Sequence, residues 1–352
     1  MKLCVVADVH LGCFAQYGGE VVDGLNARAR LTLKTLEAAV NVAAAAGAKL
    51  VVAGDLFQVK RPEPALIAAA QRVLETAVGA RPLLLLGNHD AIGPGDTALA
   101  PLWQVAQPIT APHCDAGVLY VPWSPAPALA RIESAFATSG SVPVRLVVMH
   151  CGIYDGTFPE YLRGDGAVGF GDLVRLGCAH GVRLFIAGDY HRHRVFEDRG
   201  VQAVQVGALN PTGFSDEGTE GYGSVIVVDP ETGAWERREI PGPRFLAMDY
   251  TEADREKRIN ECRAAGNTVF ARLRVPAGAE AEVRGGPFCE WLEQEGVAYD
   301  FDPDEAESPA PVETRPRVRD FDEVLVEYVT GMALPAGVTA EAVLGAARRF
   351  VG

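Results

Sequence analysis

The sequence of 352 residues predicts an α/β protein made of one large α/β domain followed by a smaller one. Three observations predict this fold class. Up to about Ile240, short runs of β-branched residues alternate with alanine- and leucine-rich stretches of helical period. The strand-like runs end in polar residues, which is typical of strands whose carboxyl ends open into a crevice. With 48% hydrophobic and 22% charged residues, the chain has the composition of an ordinary globular protein.

The strands of the large domain share one signature, an apolar run followed by polar residues or a turn. The segments that we predict as strands are, in chain order, KLCVVADVH, KLVVAGD, RPLLLLGNHD, VRLVVMH, RLFIAGD, VQAVQVG and YGSVIVVD. Two helices are predicted between the first three strands, in ARLTLKTLEAAVNVAAAAG and PEPALIAAAQRVLETAV. The first helix stops at Gly47, and the second begins with prolines, which the first turn of a helix tolerates. This large domain covers residues 1–243.

The character of the chain changes after residue 243. Residues 244–300 contain a charged helix, a strand and a second helical piece, which predict a small separate α/β unit. Residues 301–319 are acidic and proline-rich, which is typical of a flexible linker. Residues 320–352 have apolar positions at helical spacing on both sides of a Pro-Gly turn. Two such short helices cannot bury both apolar stripes alone, so we expect the pair to dock on this chain or on another protein.

Charge and cysteine usage argue against several classes of protein. The formal net charge of −14 argues against holding nucleic acid through overall electrostatic attraction, so any such contact must be local, metal-mediated or shared with a partner. The seven cysteines include no Cys-x-x-Cys pair, which argues against a structural zinc site or a disulfide framework. We find no signal peptide and no apolar run long enough to span a membrane, so we expect a cytoplasmic protein without a membrane partner.

Polar residues at five strand ends carry the candidate chemistry. Side chains at the carboxyl ends of sheet strands converge on one crevice, so these residues are expected to meet. They are Asp8 and His10, Asp55, the series Asn88, His89 and Asp90, then His150, and finally Asp189 and His191. Carboxylates, imidazoles and one amide suit two adjacent divalent cations such as manganese or iron. Two cations about 4 Å apart need a shared carboxylate to offset their repulsion.

The series Asp-x-His, Gly-Asp, Gly-Asn-His-Asp, His and Gly-x-x-His resembles the calcineurin-like metallophosphoesterase superfamily. The segments GDLFQVKRPEPALIAAAQRVL and VQVGALNPTGFSDEGTEGYGSVIVVD are similar to its nuclease branch, represented by bacterial SbcD and the related double-strand-break repair nucleases. The resemblance implies a four-layer α/β/β/α sandwich and a small DNA-binding α/β capping domain at residues 244–300. It also implies that residues 320–352 form a helix pair that binds the coiled coil of an SbcC-type ATPase.

The resemblance further implies a role for each strand-end residue. The ligands of the first metal would be Asp8, His10 and His191. Asp55 would bridge the two metals, and the second would be held by Asn88 and His150. Both metals would be manganese, with magnesium as the alternative. His89 would protonate the leaving oxygen, and Asp90 would orient or charge His89.

The stretch LFIAGDYHRH departs from the family pattern, in which the glycine after this strand is followed by His-x-His. If Gly188 keeps its register, Asp189 takes the place of the histidine that ligates the second metal, and His191 stays on the first. In the competing register, His191 and His193 form the His-x-His pair and Asp189 belongs to the turn. We favour the first register, because the strand length before the glycine fixes how far the chain has travelled into the crevice. Aspartate would make the second site harder in ligand character and would favour manganese or magnesium there.

Three functions are compatible with these residues. The leading hypothesis is a metal-dependent DNA exonuclease or endonuclease, a subunit of an SbcCD-like repair complex whose partners are DNA and the ATPase. The helix pair favours it, because a small-molecule phosphatase has no use for such a tail. The alternative is a phosphodiesterase or phosphatase acting on nucleotides or other small phosphate esters, which the acidic charge favours. The third hypothesis is a non-catalytic scaffold whose second metal site has decayed, and a homodimer is compatible with each.

Overall fold

Short strands and helices alternate along the residues that the computed structural model describes, 1–140, 143–158, 163–164 and 166–303. The strands are β1 (Lys2–Val6), β2 (Ala48–Val52), β3 (Leu83–Leu85), β4 (Ala91–Gly93), β5 (Asp96–Thr97), β6 (Gln107–Ile109), β7 (His113–Asp115), β8 (Val118–Val121), β9 (Leu146–His150), β10 (Gly152–Tyr154), β11 (Ala167–Gly169), β12 (Leu184–Gly188), β13 (Arg194–Asp198), β14 (Val201–Gln205), β15 (Ser224–Val228), β16 (Trp235–Glu239), β17 (Pro243–Asp249), β18 (Thr268–Val275) and β19 (Ala298–Pro303). The helices are α1 (Ala27–Ala45), α2 (Pro64–Glu75), α3 (Ala128–Thr138), α4 (Phe170–His180), α5 (Arg255–Ala264), α6 (Glu280–Arg284) and α7 (Pro287–Gln294).

Two six-stranded sheets form the large domain. The first sheet has the order β16-β15-β1-β2-β3-β6, and the second has the order β13-β14-β12-β9-β8-β7. In the first sheet β1, β2, β3 and β6 run parallel, and in the second β14, β12, β9 and β8 do. The carboxyl ends of the parallel strands within each sheet therefore lie at one edge of that sheet. All seven strands predicted from the sequence, and both predicted helices, are confirmed.

The two sheets pack face to face, and helices cover their outer faces. Strand residues alternate between the layers, so that Val5 lies in the core between the sheets while Val6 packs under the helices. Helices α1 and α2 cover the first sheet through residues such as Leu36 and Leu74, and α3 and α4 cover the second. Strands buried on both faces read as continuous apolar runs, which explains their signature in the sequence. The predicted α/β class and the four-layer α/β/β/α sandwich are thus confirmed.

A third, smaller sheet follows the large domain. Its three strands are parallel in the order β17-β18-β19, and the helices α5 and α7 pack against it around a separate apolar core. We call β17 to β19 with α5 to α7, residues 243–303, the capping unit. Its last strand runs through Pro303, three residues beyond the boundary predicted at residue 300. The rest of the predicted linker and the whole predicted helix pair, residues 304–352, lie outside the described residues.

The capping unit packs on the segment between β1 and α1. The guanidinium of Arg28 is buried among the rings of Phe14, Phe245 and Phe270, with its central carbon 4.5, 4.8 and 5.3 Å from their centroids. Tyr17 stacks on Phe270 at 4.8 Å and donates a hydrogen bond to a backbone carbonyl of β18. The described residues all belong to one compact unit. Among them, none of the helices has the length and apolar character that crossing a membrane requires.

Candidate metal centre

The polar residues at the five strand ends come together where the two sheets meet. Asp8 and His10 follow β1, Asp55 follows β2, and Asn88 to Asp90 follow β3, all in the first sheet. His150 ends β9, and Asp189 and His191 follow β12, in the second sheet. Ligand atoms lie within 4.8 Å of one another in three overlapping groups: Asp8, His10 and His191; His10, Asp55 and His89; and Asp8, Asp55 and His150. We call the seven predicted ligands, Asp8, His10, Asp55, Asn88, His150, Asp189 and His191, the donor cluster.

Several of these residues hold an unusual backbone conformation. Asp8, His10, Asp55 and Asp189 have φ angles of 52°, 49°, 52° and 101°, in the left-handed region that non-glycine residues rarely adopt. Such strain persists only where the surrounding structure holds it, and it concentrates at functional sites. The tight turns bend the chain back at the strand ends and aim consecutive polar side chains into one space.

Two glycines allow the donor cluster to close. A Cβ atom on Gly54 would lie 2.0 Å from Nδ1 of His150, and Gly54 also has a φ of +95°. A Cβ atom on Gly87 would lie 2.0 Å from a carboxylate oxygen of Asp55. Both distances are far shorter than any van der Waals contact, so these positions admit no side chain. The Gly-Asp and Gly-Asn-His-Asp motifs therefore have a steric reason for their glycines.

One half of the donor cluster, which we call the His191 side, contains Asp8, His10 and His191. The two imidazoles face each other, with their Nε2 atoms 3.0 Å apart. Nδ1 of His191 lies 2.9 Å from a carboxylate oxygen of Asp216 and donates to it, so Nε2 is the nitrogen that faces the cluster. Burial acts to lower the pKa of His191, but the hydrogen bond with Asp216 and attraction to Asp8 raise it to about 9, so a bound metal would replace the Nε2 proton. Asp216 was not predicted from the sequence, although it lies in the segment NPTGFSDEG after β14, within a stretch that is similar to the nuclease branch.

The other half, the His150 side, contains Asn88, His150 and Asp189. His150 is fully buried, and its Nδ1 donates to the carbonyl oxygen of Ala53 at 2.7 Å, so its Nε2 faces the cluster. That Nε2 atom lies 2.9 Å from Oδ1 of Asn88 and 3.8 Å from a carboxylate oxygen of Asp189. This half therefore combines one imidazole, one amide oxygen and one carboxylate.

Asp55 lies between the two halves. One carboxylate oxygen accepts a hydrogen bond from the backbone of His89 at 2.9 Å, and the other lies 3.6 Å from Nε2 of His150. Burial acts to raise the pKa of Asp55, but attraction to His150 and a hydrogen bond with it hold that pKa below its usual range. Asp55 is thus an ionised carboxylate placed where the sequence analysis expects the bridging ligand.

The structure places Asp189 and His193 in different surroundings. Asp189 lies at the donor cluster, and its backbone N–H donates to both carboxylate oxygens of Asp8, at 3.1 and 3.0 Å. His193 is turned away, with its Nδ1 3.2 Å from the carbonyl oxygen of Val206. This geometry agrees with the register in which Asp189 faces the second site and His191 the first. Ligation by Asp189 remains a prediction.

His89 and Asp90 have different partners from those predicted. Nδ1 of His89 lies 2.7 Å from the carbonyl oxygen of Gln58 and must donate to it, because a carbonyl only accepts. The buried carboxylate of Asp90 accepts instead from three backbone N–H groups, those of Leu56, Phe57 and Gly87 at 3.2, 3.0 and 3.3 Å. The prediction that Asp90 orients His89 is corrected accordingly. Asp90 ties two strand-end loops together, and the Gln58 carbonyl orients the His89 ring.

The donor cluster has the chemistry of a divalent cation site. Burial raises the pKa of Asp8 to about 6, because its ionised carboxylate is shielded from water. A bound cation would supply the stabilisation that water does not. Burial, then repulsion from His191, lowers the pKa of His10 to about 3, so His10 is a neutral imidazole with one basic ring nitrogen. The Nδ1 atom of His10 is buried without a hydrogen-bond partner in the described structure. A mixed set of buried oxygen and imidazole donors suits a divalent cation such as manganese or iron.

A cleft of about 350 Å³ lies beside the donor cluster. Asp189 and His191 form part of its wall, together with Asp216 and the exposed cations Arg192 and Arg194. The rings of Tyr190 and Phe158 stack at 5.8 Å in the same wall. Neither Arg194 nor Phe158 belongs to a motif that would mark it in the sequence. The cleft offers cationic and aromatic groups next to the candidate metals.

Comparisons with known proteins give structural likenesses only. No family model matches the chain, and no curated protein matches it. An archaeal phosphodiesterase structure matches 68% of this chain and 99% of its own, with 10% identity and a TM-score of 0.36. A Staphylococcus aureus structure assigned as a 5′-nucleotidase matches 68% and 53%, with 13% identity and a TM-score of 0.40. GAP50, the anchor in the inner membrane complex of Plasmodium, matches 68% and 88%, with 15% identity and a TM-score of 0.36. The site described above rests on the geometry of this chain itself.

Proposed function

We propose that the chain is a metal-dependent phosphoester hydrolase that cleaves DNA, acting as the nuclease subunit of an SbcCD-like complex. The observation that carries the proposal is that three overlapping groups of ligand atoms, two of them drawn from both sheets, each lie within 4.8 Å of one another, and that His89 belongs to the remaining group. The sequence motifs that resemble the SbcD branch support the choice of DNA. Membership of the calcineurin-like superfamily is part of the same proposal.

The residues of the donor cluster would hold two manganese ions, with magnesium as the alternative. Asp8, His10 and His191 would hold the first, Asp55 would bridge, and Asn88, His150 and Asp189 would hold the second. Bound in this way, the metals would supply a water activated at neutral pH and a positive charge for the phosphate oxygens. With metals bound, Asp216 and the Ala53 carbonyl would hold the neutral tautomers of His191 and His150 that carry the proton on Nδ1 and use Nε2 as the donor atom.

His89 is the candidate acid for the departing sugar oxygen. Its Nδ1 proton is held by the Gln58 carbonyl, so its Nε2 is the atom free to deliver a proton. The ring lies edge-on to His10 at 5.0 Å between centroids, within reach of the donor cluster. Arg192 and Arg194 would contact backbone phosphates, and the stacked rings of Tyr190 and Phe158 would support an unpaired base.

A second candidate is hydrolysis of nucleotides or other small phosphate esters. The net charge of −14 favours it, because a long polyanion is repelled by an acidic protein. The cleft of about 350 Å³ is also of a size suited to a single nucleotide. The two candidates share one chemistry and differ in substrate length.

The deciding experiment compares end-labelled linear DNA, duplex and single-stranded, with a chromogenic phosphodiester, each in manganese and in magnesium. The nuclease proposal expects DNA cleavage in manganese that His89→Ala reduces on the order of 10²–10⁴-fold. His113→Ala is the matched control, since His113 is exposed at the edge strand β7. Hydrolysis of the chromogenic ester alone would favour the second candidate. If neither substrate reacts, even with an SbcC-type ATPase added, the proposal fails in favour of a non-catalytic scaffold.

A further inference from the structure

Asp216 connects the donor cluster to the capping unit. Its carboxylate accepts from Nδ1 of His191 at 3.0 and 2.9 Å through its two oxygens. The same carboxylate accepts from the backbone N–H and the hydroxyl of Thr212, at 2.9 and 2.8 Å. Asp216 is 7% exposed, so these bonds are partly shielded from solvent, and they fix the orientation of the His191 ring.

The loop that carries Asp216 is clamped by the capping unit. Asp216 ends a short 3-10 helix, Phe214–Asp216, whose first residue packs edge-on against Phe245 of β17 at 5.1 Å. The guanidinium of Arg272, on β18, lies 4.1 Å from the centre of the Phe214 ring. The backbone N–H of Gly218 donates to the carbonyl of Phe245 at 2.7 Å. The loop is therefore held on both sides of Asp216 by residues of the smaller sheet.

A second route joins the same two places. The buried Arg28, which is surrounded by rings of the capping unit, donates to the backbone carbonyl of Thr212 at 3.1 Å. Thr212 in turn donates to Asp216. Two series of contacts therefore connect the capping unit to His191. One passes through the loop that contains Phe214, and the other passes through the contact of Arg28 with Thr212.

We propose that Asp216 is the positioning residue of His191 and that the capping unit holds Asp216 in place. The packing of the capping unit on the large domain therefore determines the metal affinity of the His191 side. This inference rests on the proposed function, because it concerns the same metal centre. Removing a carboxylate that orients a ligating histidine weakens metal binding tenfold to a hundredfold. Removing contacts between the capping unit and the loop that carries Asp216 should also lower the metal affinity.

The test measures Mn²⁺ binding to the full chain directly, by the loss of the EPR signal of free Mn²⁺ during titration. The variants are Asp216→Asn, Asp216→Ala and Phe214→Ala. Glu231→Gln is the control, because its exposed carboxylate pairs with Arg145 at 2.7 Å within the large domain and touches neither Asp216 nor the capping unit. We expect about a tenfold or greater loss of affinity at one of two sites in both Asp216 variants, a smaller loss in Phe214→Ala, and none in Glu231→Gln.

A spectroscopic readout separates positioning from general damage. In the metal-free protein, ¹⁵N chemical shifts of the His191 ring should show a protonated Nδ1 in the wild type, and Asp216→Asn should shift that signal while circular dichroism shows the same fold and the protein stays folded at the assay temperature. Equal Mn²⁺ affinity in the wild type and in folded Asp216→Asn would overturn the inference. A wild type that binds Mn²⁺ with the expected dependence but hydrolyses no phosphoester would contradict the proposed function and leave the inference standing. A wild type that binds no Mn²⁺ would overturn both.

Discussion

The two sides of the donor cluster are built differently. On the His191 side, the imidazole ring is held by a carboxylate on a loop that packs against the capping unit. On the His150 side, the ring is fully buried and held by a backbone carbonyl of the first sheet. The His150 side is therefore a rigid part of the sandwich, whereas the His191 side can respond to the capping unit.

The largest effect is expected from removing the carboxylate of Asp55, which lies between the two sides. Asp55→Ala should abolish hydrolysis, on the order of 10³-fold or more, because the cations would repel each other without the carboxylate between them. Initial rates with the chromogenic phosphodiester measure this loss. Asp115→Ala, which removes an exposed carboxylate from β7, should keep the wild-type rate. An Asp55→Ala protein with more than a tenth of wild-type activity would contradict the bridging role.

A change at Gly54 should break the His150 side alone. In Gly54→Ala the new methyl group would overlap His150 in a left-handed backbone, so we expect a loss of unfolding free energy of about 3 kcal/mol or more, combining overpacking and backbone strain. Gly47→Ala is the control, because Gly47 has a φ of +59° but no atom within 4 Å of its Cβ position. It should lose only ~1–2 kcal/mol of unfolding free energy. Urea denaturation measures both, and equal losses would show that the clash with His150 is absent.

A substitution at Asp189 should change which cations the second metal site prefers. Asp189→His exchanges a carboxylate beside His150 for an imidazole, so the second site should favour softer borderline cations over manganese by roughly tenfold. Competition between Mn²⁺ and Co²⁺ in the EPR titration measures the shift. Asp189→Asn should weaken manganese at this site without changing the order of preference. An unchanged preference in Asp189→His would mean that residue 189 does not touch a metal.

The smallest effect is expected at His193, which the competing register would make a ligand. His193→Ala should leave manganese binding and hydrolysis within about twofold of wild type, because its ring faces the Val206 carbonyl and not the donor cluster. The same titration and rate assay measure it. A loss comparable to that of His191→Ala would restore the competing register.

The sequence predicted the parts of this molecule in which one local pattern determines the outcome. Strands covered on both faces are continuously apolar, so β1, β2 and β12 were visible, as were the polar residues at their ends. Strands β17 and β19 were missed, because they are defined by pairing with β18 across long stretches of chain. The short pair β4 and β5 has too few residues to show a period.

The same limit explains the residues of the site that were assigned incompletely. Asp90 was expected to orient or charge His89 because the family resemblance implies that role. The turn after β3 instead directs the Asp90 carboxylate to backbone N–H groups. Asp216 lies 25 residues from His191, and only tertiary packing brings the two together. Strand length favoured the register that directs Asp189 to the second site. Supporting that register further required the pairing of Gly188 with His150 in the sheet, which the sequence does not show.

The burial of Arg28 has a consequence for how such chains can be divided and recombined. Arg28 belongs to α1, yet two of the three aromatic rings around its charge belong to the capping unit. A fragment ending before β17 would expose those contacts and leave a cation without its surroundings, which is unfavourable for an isolated large domain. Exchanging capping units between homologous proteins would require the matching of Arg28, Phe245 and Phe270 as a set. The boundary that composition marks in the sequence is therefore a poor place to cut, and the two units are expected to be inherited as one module.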